Sequence, residues 1–239
     1  MGYNPSQSVW LNPNIEYLFG ENIIEYDMRD AGFSLIKEFK LLPESEIARL
    51  ERIPKGYDRH VAVGILERND KTFAQALTDK FCEARRVFIE TNNIDTDNNL
   101  IAVKKDALFV VDKVKRTKFG IVEFAAKNHY SSYIRFSNNG NVELYYSDTG
   151  IDVKGIGDNT LNRHRIYLLE WLRGYFRLME NRDSSVKRYL MNFIKKYKND
   201  ELDEEYYLEF NSKSMNMDKM FNFTKLIVPL VEVANKEVS

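Results

Sequence analysis

Apolar and polar positions along the first third of the chain predict one strand followed by several helices. Residues 22–27 (NIIEYD) predict a strand that ends in a carboxylate, and residues 34–42 (SLIKEFKLL) predict a helix that stops before Pro43. A second short helix (ESEIARLERI) and a loop around Pro54 and Gly56 follow. A long helix is predicted from residue 70 to residue 92, because its apolar residues form a stripe at helical spacing: Phe73, Leu77, Phe81, Ala84 and Phe88.

The pattern changes to strands between Leu100 and Gly155. The segments LIAVKKDALFVVD, FGIVEFAAK, SSYIRFS and VELYYSD predict an antiparallel meander, with a hairpin turn at residues 138–141 (NNGN). After Gly157 the chain turns helical again (RIYLLEWLRGYFRLME and SSVKRYLMNFIKKYK), and the apolar segment LIVPLVEV closes it. The predicted fold class is therefore α+β, with an antiparallel sheet covered by helices and a C-terminal helical segment.

Length and composition indicate a folded protein without cross-links. A chain of 239 residues can bury a sizeable core, and one domain with a helical appendage is expected. The single cysteine, Cys82, excludes a disulfide framework within the chain. No apolar run approaches the roughly 20 residues of a membrane span, and the opening MGYNPSQS lacks the apolar core of a signal peptide. We expect a cytoplasmic protein without membrane association.

Charges are balanced in number but separated along the chain. Lys and Arg number 35 against 36 for Asp and Glu. Residues 104–135 contain eight basic residues against three acids, and residues 163–198 contain ten against three. Acids gather at residues 200–209 (DELDEEYYLE). This asymmetry favours a polyanion partner such as nucleic acid, although ordinary solvated helix and hairpin faces would produce the same runs.

Two aspartates stand where chemistry is expected. Asp27 ends the first predicted strand, and Asp106 lies between the apolar runs LIAV and ALFVV. A carboxylate between apolar residues must be hydrogen-bonded, paired or bound to a cation. Two such acids on neighbouring strands would form a site for a divalent metal ion. The alternative is that Asp27 caps a turn while Asp106 pairs with Lys104 or Lys105 on the surface.

The order of these motifs resembles the palm of family-B DNA polymerases, in a reduced, phage- or virus-like form. The segment IIEYDMRDAGFSLI resembles motif A through Asp27, and KKDALFV resembles the second acidic motif through Asp106. Between them, LTDKFCEARRVFIETN resembles the Thr-x-x-Gly-Arg helix through Thr78 and Arg85 or Arg86. Downstream, KNHYSSY and DVKGIGD resemble the Lys-x-Tyr and Lys-Gly elements of that family.

The resemblance implies a domain organisation and a set of functional residues. Residues 1–160 would form a palm-like domain with rudimentary fingers at about 37–92, and residues 161–239 a thumb-like appendage. Asp27 and Asp106 would be catalytic and would hold Mg²⁺ or Mn²⁺. A nucleoside triphosphate would be bound by Gly32, Lys71 and Arg85. DNA or RNA would be bound by Lys113, Lys115, Arg116, Lys127, Tyr130 and Lys154.

Gly32 occupies the position of the family's bulky Tyr, five residues after the motif A Asp. Its lack of a side chain implies little discrimination against ribonucleotides, although a simple turn between strand and helix would also explain a glycine.

The chain also departs from the family. Lys104 replaces the first acid of the second motif, and an exonuclease domain and a complete finger helix are missing. Three functions therefore remain open. The first is nucleotidyl transfer on nucleic acid, with a role in DNA replication. The second is an inactive palm, or a subunit of a split polymerase, that binds nucleic acid or a partner. The third is an unrelated interaction protein.

Overall fold

The computed structural model describes residues 3–136, 142–155, 163–199, 201–202 and 223–238, apart from the side chains of residues 163–167 and 223–226. The strands are β1 (Val9–Leu11), β2 (Tyr17–Met28), β3 (Leu100–Lys104), β4 (Ala107–Val111), β5 (Lys118–Phe119), β6 (Val122–Phe136), β7 (Val142–Ser147) and β8 (Gly150–Lys154). The helices are α1 (Ala31–Phe39), α2 (Glu44–Arg52), α3 (Tyr57–Asn69), α4 (Lys71–Thr91), α5 (Arg163–Glu180), α6 (Ser185–Lys198) and α7 (Phe223–Glu237). The predicted α+β class, with an antiparallel sheet and a C-terminal helical segment, is confirmed.

The chain forms two compact units. Unit 1 contains Met1–Ile15 and Asn22–His129, and unit 2 contains Glu16–Glu21 and Tyr130–Ser239. Strands β2 and β6 therefore contribute residues to both units. The palm-like and thumb-like domains were expected from the resemblance to a polymerase, and the division into compact units does not test them. They stay a prediction.

The sheet of unit 1 corrects the predicted strand order. Its strands follow the order β1-β3-β4-β2-β6, and β5 pairs with β6. Strands β3 and β4 form the expected hairpin, and β6, β7 and β8 follow one another as expected, but β2 lies between β4 and β6 and interrupts the predicted meander. Alternation along a sequence determines which face a residue occupies, but it carries no information on which distant strand becomes the neighbour.

The core of unit 1 lies between this sheet and the long helix α4. All five residues of the predicted stripe are buried, and they pack with β2 and β4 residues such as Ile24, Tyr26 and Leu108. Helix α4 begins after Asp70, whose side chain accepts hydrogen bonds from the backbone N–H groups of Thr72 (2.9 Å) and Phe73 (3.0 Å). Helix and sheet therefore hold the ends of β2 and β4 in fixed positions.

Three elements differ from the expectation. Strand β1 and helix α3 were not predicted; α3 lacks a clear apolar stripe, because Val63 is buried whereas Tyr57 and Ile65 are exposed. The predicted break between FGIVEFAAK and SSYIRFS is absent, because β6 continues through the polar residues 128–130. The predicted turn at residues 138–141 lies outside the described residues, as does the acidic segment except for Glu201 and Leu202.

Unit 2 packs its strands against helices. Its core combines β7 residues such as Leu144 and Tyr146 with α5 residues such as Leu172 and Phe176. The rings of Tyr146 and Phe176 stack with their centroids 5.0 Å apart. Helices α6 and α7 bury Leu190 and Leu230 in the same core. Among the described helices, none combines the length and the apolar character that crossing a bilayer requires.

Candidate functional site

The fold of unit 1 brings the two predicted acids to the same end of neighbouring strands. Asp27 is the penultimate residue of β2 and lies opposite Ala107 of β4 in the antiparallel register. Asp106 belongs to the two-residue turn between β3 and β4. The backbone N–H of Met28 donates to the carbonyl oxygen of Asp106 at 3.0 Å. The strand end and the turn are thus joined directly, and the acids are neighbours.

The electrostatics of the pair reflect this proximity. The pKa of Asp106 is raised from its ordinary value, first by burial and then by the negative charge of Asp27. The positive charges of Lys105 and Lys127 act in the opposite direction. A partly buried carboxylate whose ionisation is opposed by a neighbouring negative charge is a location that a cation would stabilise.

Lys127 supplies the closest cation that the structure records for Asp27. It lies on β6, and its Nζ donates to Oδ2 of Asp27 at 2.5 Å. This hydrogen bond raises the pKa of Lys127, although partial burial opposes the shift. The sequence assigned Lys127 to nucleic-acid binding and expected Lys104 or Lys105 beside the acids. Of these three lysines, the one bonded to Asp27 is Lys127.

A third carboxylate near the pair was missed at the sequence level. Glu25 precedes Asp27 by two residues on β2 and is 3% exposed. It accepts a hydrogen bond from the Asn128 side chain at 2.6 Å. Because alternate residues of a strand share a face, Glu25 lies on the same face of β2 as Asp27. The available signal was an acid between the apolar residues Ile24 and Tyr26.

A cavity of about 650 Å³ lies beside Asp106. It is bordered by the segment after β2, by α3 and α4, and by the β3–β4 turn. Five basic residues line it, and the acids among its lining residues are Asp30, Glu67 and Asp106. The basic residues are Arg29, Lys55, Arg59, His60 and Lys105. Lys and Arg alone give four cations against three carboxylates, a small positive excess that suits an anionic ligand.

Arg59 forms a fixed wall of this cavity. Its side chain is buried, donates to Oδ2 of Asp30 at 2.5 Å and to the carbonyl of Glu51 at 3.0 Å, and lies over the ring of Phe33. Arg59 was not predicted from the sequence, because it lies on α3, the helix without a clear apolar stripe. Its neighbours Lys55 and His60 are exposed.

Gly32 also lines the cavity, but the structure overturns its interpretation as a turn. It is the second residue of α1, whereas the left-handed backbone conformation between β2 and α1 belongs to Asp30, at φ 48°. A Cβ at Gly32 would lie 3.0 Å from Cγ1 of Val63. The glycine therefore allows α1 and α3 to approach closely.

The other two predicted nucleotide-binding residues are not among the residues that line the cavity. Lys71 is the exposed first residue of α4. Arg85 is 1% exposed, and its guanidinium donates to the carbonyls of Lys105, Pro5 and Gln7. A guanidinium engaged in this way fixes the turn that carries Asp106 and is not available to a nucleotide.

The predicted nucleic-acid contacts fall into separate groups. Lys113, Lys115 and Arg116 are exposed and follow β4, so they lie at the end of that strand opposite Asp106. In unit 2, Tyr130 is buried and donates to Oδ2 of Asp152 at 2.5 Å, and Nζ of Lys154 lies 3.9 Å from the same oxygen. Within unit 1, Lys127 is bonded to Asp27 near the other end of the sheet, so it and the three residues after β4 form separate groups.

The donor set limits the metal chemistry. Within the described part of the chain, no cluster of three or more His, Cys, Asp or Glu side chains is arranged to hold a metal ion. Two neighbouring carboxylates do suit a single Mg²⁺ or Mn²⁺ ion whose remaining ligands are water and phosphate oxygens. Asp27 and Asp106 would be its protein ligands.

The molecule is thus an α+β protein with an acidic pair at one end of an antiparallel sheet and a basic cavity beside it. The model of the Bacteriophage PBS1 gene 130 protein family matches residues 4–235, and the chain belongs to that family. The phage relationship expected from the sequence is confirmed at this level. A comparison with curated proteins finds no match.

Proposed function

We propose that this protein is a polymerase-like nucleotidyltransferase that acts on a nucleic-acid end by metal-dependent phosphoryl transfer. The observation that carries the proposal is the position of Asp27 at the end of β2 and of Asp106 in the adjoining β3–β4 turn, next to a cavity lined by five basic residues. Phosphoryl transfer needs positioning and charge neutralisation more than covalent help from the protein. The family-B palm resemblance of motifs along the chain supports the same function.

The residues of the chain would divide this work. Asp27 and Asp106 would hold one Mg²⁺ or Mn²⁺ ion, which supplies neutralisation of charge on the reacting phosphate. Lys55, His60 and Lys105 would orient the phosphates of a nucleoside triphosphate from the cavity wall. Arg85 would keep the turn of Asp106 in place through its bond to the Lys105 carbonyl.

A specific observation favours a second candidate function. Lys127 is bonded to Asp27, and Lys104 stands where the resembled family has a further acid. A site neutralised by lysine would bind nucleic acid or a replication partner, such as another polymerase subunit, without catalysis. Metal dependence separates the two candidates, because the inactive protein would not need an ion.

The test measures the affinity of a fluorescent, non-hydrolysable nucleoside triphosphate analogue with and without Mn²⁺. We expect Mn²⁺ to tighten binding to the wild-type protein, and Asp27→Asn and Asp106→Asn each to remove that gain. The matched control is Asp79→Asn, which alters an exposed α4 acid bonded to Gln75 at 2.8 Å. It should bind as the wild type does.

Primer extension with the same variants tests catalysis. Loss of extension in Asp27→Asn and Asp106→Asn, with unchanged melting temperatures, would support the transferase. Wild-type nucleotide affinity that is indifferent to Mn²⁺ would overturn it. Metal-independent binding of nucleic acid would then support the inactive candidate.

A further inference from the structure

Lys127 occupies an unusual place among the charged groups of unit 1. Its Nζ is bonded to Asp27 at 2.5 Å, and the negative charges of Glu25 and Asp106 also act on it. Glu25 is fixed by Asn128, the next residue along β6. One strand therefore brings a cation and an amide to two acids that alternate on β2.

The ammonium and a divalent ion would compete for the same oxygen. An ammonium group has three donors and no acceptor, so it approaches a carboxylate oxygen as a metal ion does. A divalent ion bound by Asp27 and Asp106 would stand within a few ångströms of this ammonium, and like charges at such a distance repel strongly. The Lys127–Asp27 bond and full metal coordination by Asp27 are thus mutually unfavourable.

The exposed fractions of the Lys127 and Asp27 side chains indicate that the lysine is the partner that can rotate away. The side chain of Lys127 is 55% exposed, whereas that of Asp27 is 25% exposed and lies at the end of a paired strand. A long, solvent-facing lysine can rotate away from the carboxylate at little cost. An incoming phosphate group would offer the ammonium new oxygen partners.

We propose that Lys127 is a built-in counter-ion that keeps divalent metal off the acidic pair until a phosphate-bearing ligand arrives. The phosphate draws the ammonium from Asp27, and the ion and the ligand then bind together. This inference rests on the proposed metal-dependent function, and it adds the order of binding and the residue that imposes it. The site therefore rejects metal alone and accepts metal with nucleotide.

The experiment titrates Mn²⁺ alone into the full-length protein and follows free Mn²⁺ by electron paramagnetic resonance. We expect weak binding by the wild type and at least about tenfold tighter binding by Lys127→Met, because one opposing charge is removed from the site. Lys127→Arg keeps a cation and should resemble the wild type. Lys118→Met, an equal charge change at an exposed residue of β5, is the matched control and should leave Mn²⁺ affinity unchanged.

Two further variants make the outcome decisive. The double variant Lys127→Met with Asp27→Asn should lose the gained affinity, which assigns the ion to the acidic pair. If Lys127→Met fails to fold, as judged by its thermal melt, Lys127→Gln serves in its place.

Failure of this inference differs from failure of the proposed function. If Lys127→Met binds Mn²⁺ no more tightly than the wild type, while the wild type still shows Mn²⁺-dependent nucleotide binding, Lys127 is not the gate and the metal site stands. Tight binding of Mn²⁺ alone by the wild type has the same meaning. If neither protein binds Mn²⁺ with or without nucleotide, both the inference and the metal-dependent function are overturned.

Discussion

Replacement of Arg85 by methionine should destabilise unit 1 substantially. The guanidinium links α4 to three carbonyls, one in the β3–β4 turn at Lys105 and two in the N-terminal segment at Pro5 and Gln7. Methionine keeps much of the apolar volume but offers no donor, so these partly buried carbonyls lose their partner. The turn carrying Asp106 then depends on backbone pairing alone.

The size of the effect follows from the contacts. Three hydrogen bonds from a charged donor, at about 1.5–3 kcal/mol each, amount to roughly 5–9 kcal/mol before desolvation. Burial of the cation costs several kcal/mol, so the net loss of unfolding free energy should be about 3 kcal/mol. For a chain of this size that loss corresponds to a melting temperature lower by about 6–12 °C.

The two tryptophans allow each unit to be observed separately. Trp10 lies in the core of unit 1, and Trp171 packs beside Phe193 in unit 2. In a Trp171→Phe background, tryptophan fluorescence reports on unit 1, and thermal melts of the Arg85 variants should be recorded there. The matched control is Arg86→Met, because Arg86 is exposed and pairs with Glu90 on the surface of α4.

A surface pair of this kind contributes at most about 1 kcal/mol, so Arg86→Met should shift the melting temperature by only about 2–4 °C or less. Arg85→Lys should fall between the wild type and Arg85→Met, since one ammonium cannot reach three separate carbonyls. Equal shifts for Arg85→Met and Arg86→Met would refute the argument that the buried guanidinium holds the turn.

Three further predictions concern the surface and the cavity. Replacing Lys113, Lys115 and Arg116 together by alanine should flatten the salt dependence of nucleic-acid affinity by roughly 0.7–0.9 of a unit of log–log slope per lost phosphate contact. An unchanged slope would show that this loop does not contact the phosphates of the nucleic acid. Gly32→Ala should lower the melting temperature by about 2–4 °C, because its Cβ would press on Val63, and the loss should shrink in a Val63→Ala background. The same glycine leads us to expect similar affinities for ribo- and deoxyribonucleoside triphosphates, and a strong deoxy preference in binding assays would contradict that expectation.

The sequence predicted the parts of the site that depend on local pattern and order. Asp27 was expected at the end of a strand and Asp106 between two apolar runs, and the structure places Asp27 at the end of β2 and Asp106 in the turn between β3 and β4. The stripe of α4 was equally readable, because burial on one helix face imposes a period on the sequence.

Contacts between distant segments could not be predicted from the sequence. Lys127 and Asp27 are 100 residues apart, and their bond requires β6 to lie next to β2, which no periodicity encodes. Arg59 was missed because α3 exposes apolar residues such as Tyr57, which is 81% exposed, and so lacks the amphipathic signature of a helix. Arg85 was predicted to bind a nucleotide, but its side chain is buried and its guanidinium donates to backbone carbonyls.

The two-residue turn between β3 and β4 ties the spacing of the acidic pair to the register of the strands beside it. A loop of several residues could absorb an insertion by changing its path, but here Lys104 and Ala107 are already paired across the turn. One residue added next to the turn would shift the register of the hairpin unless a bulge absorbed it, as the irregularity between Leu100 and Ala102 does farther along β3. The separation of Asp27 and Asp106 therefore depends on the pairing beside the turn, and a change of length is easier to accommodate at the remote end of the hairpin, where its register is already irregular.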